Sequence, residues 1–321
     1  MLESHRILVT GITSIHGWPI FRLLSASHPS KFLLGVRPPK AESPNAENVV
    51  SACLTDRRAL ENVRETFRPD VVLHAGGVCD LDVCEARPAW AADMNVGGAR
   101  NVAELFGDCR VVYLSTDLVF SGEKTPPGGY SEQDTCDPVS VAGTTFLHAE
   151  SEIARIGNST IIRLGLPMGD SIQGTKGAVD WIEHRFRRDL PATLFVDEWR
   201  SAIDCEEVTR VVLALVRKNA AGLYHVGGPK RVSLYEMGEL VLRRGGYDPT
   251  LLHASSRHAE VNGPPRIGDV SLNSTKAERA IGRRIQACRW WEPRAGPRKE
   301  MGTLTPQYRR RARSERSPSA S

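Results

Sequence analysis

The chain has 321 residues, enough for one large domain with a sizeable core, and its 40% hydrophobic and 25% charged content is ordinary for a globular protein. No apolar run reaches the ~18 residues of a membrane span, the first strand-like run leaves no room for a signal peptide, and the seven scattered cysteines form no Cys-x-x-Cys pair, so no membrane segment, zinc site or disulfide framework is expected and a cytoplasmic setting is. The net charge of +4 is uneven: residues 294 to 321 carry eight Lys/Arg against two Glu, which leaves a slightly acidic body that does not read as a nucleic-acid binder.

In chain order, short β-branched-rich runs at Ile7–Val9, Phe32–Val36, Val71–His74, Val111–Leu114 and Thr160–Leu164 predict buried parallel strands. Between them lie helical patterns at Trp18–Ser25, Arg57–Phe67, Met94–Phe106 and Leu147–Arg155, with Asp56 placed to cap the second. That alternation predicts a doubly wound parallel α/β sheet. After Gly169 the pattern predicts a helix over Ala178–Arg188, a strand over Thr193–Val196, a helix over Glu206–Arg217 and a strand over Leu223–Val226. Ser233 and Glu236 then form a capping-box pattern that opens a helix to about Arg244. Residues 1–293 are expected to form the folded unit. Residues 294–321, ending in the Arg309–Arg316 cluster, are too poor in apolar side chains to fold and are expected to be a disordered basic tail, able at most to contact nucleic acid weakly.

The segment Gly11-Ile12-Thr13-Ser14-Ile15-His16-Gly17 follows the first strand and opens the first helix. A pyrophosphate needs a tight turn, close backbone approach and a helix N-terminus at such a place, so Gly11, Thr13, Ser14, Ile15 and Gly17 are candidate cofactor-binding residues. The second strand ends Gly35-Val36-Arg37 with no carboxylate to read a ribose. Arg37 can pair with a 2′-phosphate there, which favours NADP(H) over NAD(H).

Four blocks, Ile7–Gly17, Pro69–Gly77, Asn95–Val102 and Ser115–Asp117, resemble the extended short-chain dehydrogenase/reductases, and within them the dTDP-4-dehydrorhamnose reductase-like, sugar-nucleotide-binding branch. The resemblance runs from about Arg6 to about Trp291. It implies a Rossmann-like sheet with a smaller C-terminal substrate lobe, an NAD(P) cofactor and a nucleotide-sugar ligand. It also implies that Ala75, Gly76 and Gly77 pass beside the cofactor, that Asn95, the family's helix asparagine, and Ser115 are further candidate cofactor-binding residues, and that Thr116 is the hydroxyl that holds a substrate carbonyl.

The same resemblance exposes departures. Ser14 replaces the middle glycine of the loop, and Cys53 stands where an Asp is common. Leu166 and Met168 stand where Trp and Tyr are usual. The Tyr-Gly-x-x-Lys motif, in which Tyr gives the proton and Lys, one helical turn on, holds the ribose and lowers the Tyr pKa, aligns with Ala142-Gly143-Thr144-Thr145-Phe146. Tyr130, Thr145 and His148 lie nearby, but none is placed to take over. Two readings stay open: an oxidoreductase homologue acting on a nucleotide sugar with NADP(H), and a non-catalytic nucleotide-binding, regulatory module.

Overall fold

The computed structural model describes residues 4–41, 47–169, 171–172, 177–259 and 263–289. Its first part alternates strand and helix: β1 (Ile7–Thr10), α1 (Gly17–Ser25), β2 (Leu33–Arg37), β3 (Val49–Ser51), α2 (Arg57–Phe67), β4 (Val71–His74), α3 (Leu81–Ala86), α4 (Pro88–Ala92), α5 (Gly98–Phe106), β5 (Arg110–Thr116), α6 (Val141–Ala154) and β6 (Ser159–Leu164). There follow β7 (Leu166–Met168), α7 (Ala178–Phe186), β8 (Ala192–Phe195), β9 (Trp199–Asp204), α8 (Cys205–Arg217), β10 (Gly222–Val226), β11 (Arg231–Ser233), α9 (Leu234–Gly245), β12 (Leu252–Ser255) and α10 (Thr275–Ile281).

Seven strands form one parallel sheet in the order β10-β6-β5-β4-β1-β2-β3. Its central strands are buried on both faces, as their continuous apolar runs require. One face packs on α2, α5 and α6 through Leu60, Val102, Phe106, Ala149 and Ile153. The other packs on α1 and α8 through Ile20, Leu24, Val208, Val211 and Leu215. The strand order reverses between β1 and β4, and a crevice at such a reversal is where doubly wound sheets take their ligands. Beyond the sheet, β7, β9 and β11 form a small sheet and β8 pairs with β12. With α7 and α9 they enclose a separate core of Val179, Ile182, Phe186, Leu194, Met237 and Val241. This is the smaller lobe.

Both predicted caps form. The Asp56 side chain accepts from Ala59 N–H (3.0 Å), and Ser233 and Glu236 close a reciprocal capping box. Two helices differ from the prediction. α6 begins at Val141, not Leu147, because the Ser140 hydroxyl accepts from Gly143 N–H (3.1 Å) and caps it. The helix predicted over Met94–Phe106 is broken by a π-turn at Asp93–Gly97, which carries Asn95. The strands β3, β7, β9, β11 and β12 and the helices α3, α4 and α10 were not anticipated; β3, β7 and β11 have only three residues each, too few for a periodicity to show. The predicted boundary at 293/294 and the basic tail lie outside the described residues. Among the described residues no helix is long and apolar enough to cross a membrane.

Candidate nucleotide-binding site

The Gly11–Gly17 loop joins β1 to α1 at the crevice. Gly11 has φ +67°, and a Cβ there would stand 2.5 Å from Gly76 N and 2.6 Å from the Ala75 carbonyl group. A Cβ at Gly17 would collide with the Gly11 carbonyl oxygen. Both positions therefore require glycine, and main chain meets main chain from the β1 and β4 turns. Ser14 N–H donates to Gly11 O (2.9 Å), and the Ser14 hydroxyl accepts from Gly17 N–H (2.9 Å). The serine that replaces the middle glycine thus spends its side chain on an orphan donor of α1. Among the described residues the N–H groups of Thr13, Ile15 and His16 meet no acceptor, so three donors at this turn remain for an anion. Arg37, at the end of β2, anchors one nitrogen, Nη1, on the carbonyls of Ala41 (2.9 Å), Pro38 and Pro39 (both 3.3 Å). Cys53 Sγ lies 3.1 Å from Thr55 Oγ1.

On the β4 and β5 side the polar groups are used differently. Ser115 and Thr116 alternate on the strand. Ser115 Oγ donates to Glu150 (2.6 Å), whose carboxylate is held by Arg163 through contacts of 2.7 to 3.2 Å in a buried pair. Thr116 Oγ1 accepts from Leu118 N–H (3.3 Å), lies 3.3 Å from an Asp117 oxygen and receives the Cys79 thiol at 3.8 Å. Asn95 accepts from Val78 N–H (2.7 Å) and donates to Val78 O (3.0 Å) and Thr145 Oγ1 (2.8 Å), so its amide ties the β4 turn to α6. Thr145 in turn donates to the carbonyls of Val141 or Ala142.

Ala142 and Phe146 are both buried. The buried Phe146 ring packs against Gly77, which is itself exposed: a Cβ on that glycine would stand 2.9 Å from Phe146 Cζ. Behind it Tyr113 stacks on Phe146 (6.3 Å between centroids) and His74 on Tyr113 (5.2 Å). Burial raises the Tyr113 phenol pKa and lowers that of His74, bonded to Thr10 Oγ1 at 2.6 Å, to about 4. Tyr130 is stacked on Phe120 inside the core (4.1 Å). Leu166 and Met168 are buried in the lobe's own core.

Residues outside the predicted site set close the site from the lobe side. Asp117 is fully buried and binds Arg200 of β9 in a two-pronged ion pair, Nε to Oδ2 at 2.9 Å and Nη2 to Oδ1. This joins the end of β5 to the lobe. His16 Nδ1 is buried without a partner, and burial, helped by the Arg200 charge, lowers its pKa to about 4, so the ring is neutral. Glu198 is 2% exposed; its Oε2 makes no hydrogen bond and is 4.0 Å from Arg266, and burial pushes its carboxyl pKa up to about 7. No local pattern marks His16, Cys79 or Glu198; the fold alone assembles them around Arg200. Among the described residues no group of three His, Cys, Asp or Glu side chains is placed to hold a metal ion.

Residues 5–294 match the family model described as the RmlD substrate binding domain. The chain belongs to that family. The chain is similar to the methionine adenosyltransferase 2 subunit beta of Rattus norvegicus, 25% identical over 74% of this chain and 71% of that protein, and to the dTDP-4-keto-6-deoxy-D-glucose reductase of Streptomyces niveus, 27% identical over 61% and 68%. Among solved structures, a hypothetical dTDP-4-dehydrorhamnose reductase from Sulfolobus tokodaii superposes with a TM-score of 0.72 at 27% identity, covering 85% of this chain and 94% of that one. The chain is thus a homologue of nucleotide-sugar reductases with the fold the sequence implied. At the β1 turn, glycine main chain meets N–H groups that have no acceptor among the described residues. At the β4 and β5 turns Asn95, Ser115 and Thr145 are already engaged, and the buried Phe146 and Tyr113 rings pack behind the exposed Gly77.

Proposed function

We propose that this RmlD-family protein binds a nucleotide ligand in the crevice above β1, β4 and β5, and that it lacks the tyrosine-based proton relay of carbonyl reduction. The observation that carries the second half is the pair Ala142 and Phe146 on the first turns of α6, both buried and packed into the sheet. Alanine has no proton to give, and a phenyl ring has neither charge nor a donor for a ribose hydroxyl. Loss of a general acid alone lowers a rate by ~10²–10⁴. A bound nicotinamide cofactor would supply the hydride; Thr116 would supply only a hydroxyl to the carbonyl. NADP(H) is favoured over NAD(H) because, among the described residues, Arg37 is anchored at the end of β2 through Nη1, leaving its other nitrogens for a 2′-phosphate. The second ligand is a nucleotide sugar, the substrate class that the Streptomyces reductase's name gives.

The test is binding and turnover on one preparation. Ligand that binds the native state raises its melting temperature. NADPH should do so more than NADH, while dTDP-4-keto sugars should be consumed no faster than in protein-free controls. Robust NADPH-dependent reduction, lost on Thr116→Val, would overturn the proposal. A second reading, a binding subunit of a larger assembly, is favoured by the likeness to a protein named as a subunit of methionine adenosyltransferase. It predicts co-elution with a methionine adenosyltransferase of the same organism; separate elution at micromolar concentration would remove it.

A further inference from the structure

Among the described residues four buried side-chain atoms have no hydrogen-bond partner. One, Arg110 Nε, lies at the start of β5. The other three, His16 Nδ1, Glu198 Oε2 and Arg266 Nε, gather at the opposite end of the sheet, where the lobe meets β5. Gly268 holds Arg266 there, because it accepts from Trp199 N–H (2.9 Å) and donates to Ser121 O (2.8 Å). Buried polar atoms are nearly always paired, so three orphans at one junction point to a group that binds among them. Arginine carries donors only, so Arg266 Nε takes an acceptor oxygen. Its guanidinium is laid over the Phe195 ring, 4.7 Å from the centroid.

The charged groups that face Glu198 are Arg200 on β9, Asp117 at the end of β5, Asp197 just before β9, and Arg257 and Arg266 from the segment after β12. Most are already paired. Asp117 takes both prongs of Arg200. Asp197 accepts from the Ser256 hydroxyl (2.5 Å) and Arg257 N–H (2.7 Å), and the Arg257 guanidinium is bonded to Glu123 (2.6 and 3.0 Å). Arg266 is left as the cation for Glu198, at 4.0 Å, too far for a hydrogen bond. A buried carboxylate so poorly paired is costly, and burial pushes its pKa up to about 7. With its proton, Glu198 is a donor like Arg266, and the two suit an anionic oxygen. Without it, the carboxylate neutralises Arg266 and repels an anion.

We propose that Glu198 is a proton-operated gate on the lobe side of the crevice: protonated, it leaves Arg266 to an anionic oxygen of the ligand; ionised, it claims Arg266 and shuts the anion out. The gate presupposes the nucleotide-sugar ligand proposed above and adds a control to the same crevice. The ligand favours the protonated form, so affinity is full below pH about 7 and is lost as pH rises above it.

Titration calorimetry of the full chain with dTDP-glucose, at about pH 6.5 and about pH 8.5, tests it. The diphosphate diester of this probe has no proton to exchange in that range. Affinity should fall at least about tenfold between the two conditions, and buffers of different ionisation enthalpy should show up to about one proton taken up per ligand bound at the higher pH. Glu198→Gln, whose amide donates in both conditions, should bind at both within about threefold of the wild type at the lower pH, with no such uptake. Arg266→Gln should bind at both as weakly as the wild type does at the higher pH. Wild-type affinity that is flat with pH, or proton release on binding, overturns the gate and leaves nucleotide-sugar binding intact. A pH dependence that survives in folded Glu198→Gln, or in folded Arg266→Gln, overturns it as well. If neither variant folds, the wild-type proton count decides. No binding of dTDP-glucose to folded wild type at either pH overturns the nucleotide-sugar reading and the gate with it.

Discussion

Where the β1 and β4 turns meet the cleft is lined by main chain, and at the end of β5 and along α6 by side chains. The first demands only that residues 11 and 17 be glycine, because Cβ atoms there would strike the backbone of Ala75, Gly76 and Gly11. The N–H groups that follow are presented whatever the side chains are. The second half depends on particular functional groups, and on the proposed reading Ala142 and Phe146 stand in place of the acid and the cation while the helix, its Ser140 cap and its packing stay in place. On that reading a binding turn is kept and chemistry lost without any change of fold. Fold is a property of the core, and function of a few groups grafted on it.

The largest effect should come from breaking the main-chain half. Gly11→Val adds a branched side chain at φ +67° and drives a Cβ into the Ala75–Gly76 backbone. A backbone that cannot give makes this worth more than about 4 kcal/mol, at the upper end of single substitutions. Calorimetric melting should show a large loss of stability, with nucleotide binding lost too. A variant as stable as the wild type would mean that the two turns do not abut as described.

Next comes the joint between the β5 side and the lobe. Removing one member of a buried ion pair strands the other, at roughly 3–5 kcal/mol, whereas replacing both by apolar residues of similar volume is close to neutral. Arg200→Met should therefore destabilise strongly by leaving Asp117 buried and unpaired, and Asp117→Leu with Arg200→Met should recover most of the loss. Urea titrations of the four proteins of the cycle measure the coupling. Additive losses would show that the pair contributes no mutual stabilisation.

The contrast between the halves also explains what could be read in advance. Strands β1, β4 and β5 are continuous apolar runs, and the loop between β1 and α1 has its glycines and its register to the helix in one short segment, so both were legible. Thr116 was legible as the hydroxyl that ends β5. The engagement of Ser115 by Glu150, 35 residues on, and of Asn95 by Val78 and Thr145 was not, since those partners meet only when α6 packs on the sheet. Arg200 pairs with Asp117 across 83 residues, and Glu198 reaches Arg266 from another element. No sequence period carries such contacts. The early start of α6 was within reach, because Ser140 is a cap residue that the helical pattern alone did not use.

The Glu198 carboxyl offers a subtler probe of the β5 side. Its pKa is about 7 in the folded protein against 4.5 for the free group, so between those values the native state holds the extra proton and its stability falls as pH rises. The buried rings of His16, His74 and His225, at about 4 instead of 6.5, act oppositely: the unfolded chain holds more protons between pH 4 and 6.5, and stability rises with pH there. Glu198→Gln removes only the falling component. Its stability relative to the wild type should climb between pH 4.5 and 7 and then level off, by at most roughly 3 kcal/mol. A difference that is flat across that range would mean that the carboxyl is ionised in the native state.

The smallest effect, and the one that most sharpens the comparison, is at Ser14. Its hydroxyl accepts the Gly17 N–H that a pyrophosphate oxygen would otherwise use. Ser14→Gly should lose a capping bond and gain chain entropy in the unfolded state, lowering stability by about 1 kcal/mol. The same change frees a donor at the helix N-terminus, so nucleotide affinity should rise, by about two- to fivefold. Melting of the free protein and calorimetry with NADPH read the two effects separately. Their opposite signs are the signature of a side chain that competes with the ligand for one main-chain donor. If affinity falls along with stability, the Ser14 hydroxyl is instead a ligand contact, and the β1 half relies on a side chain just as the β5 half does.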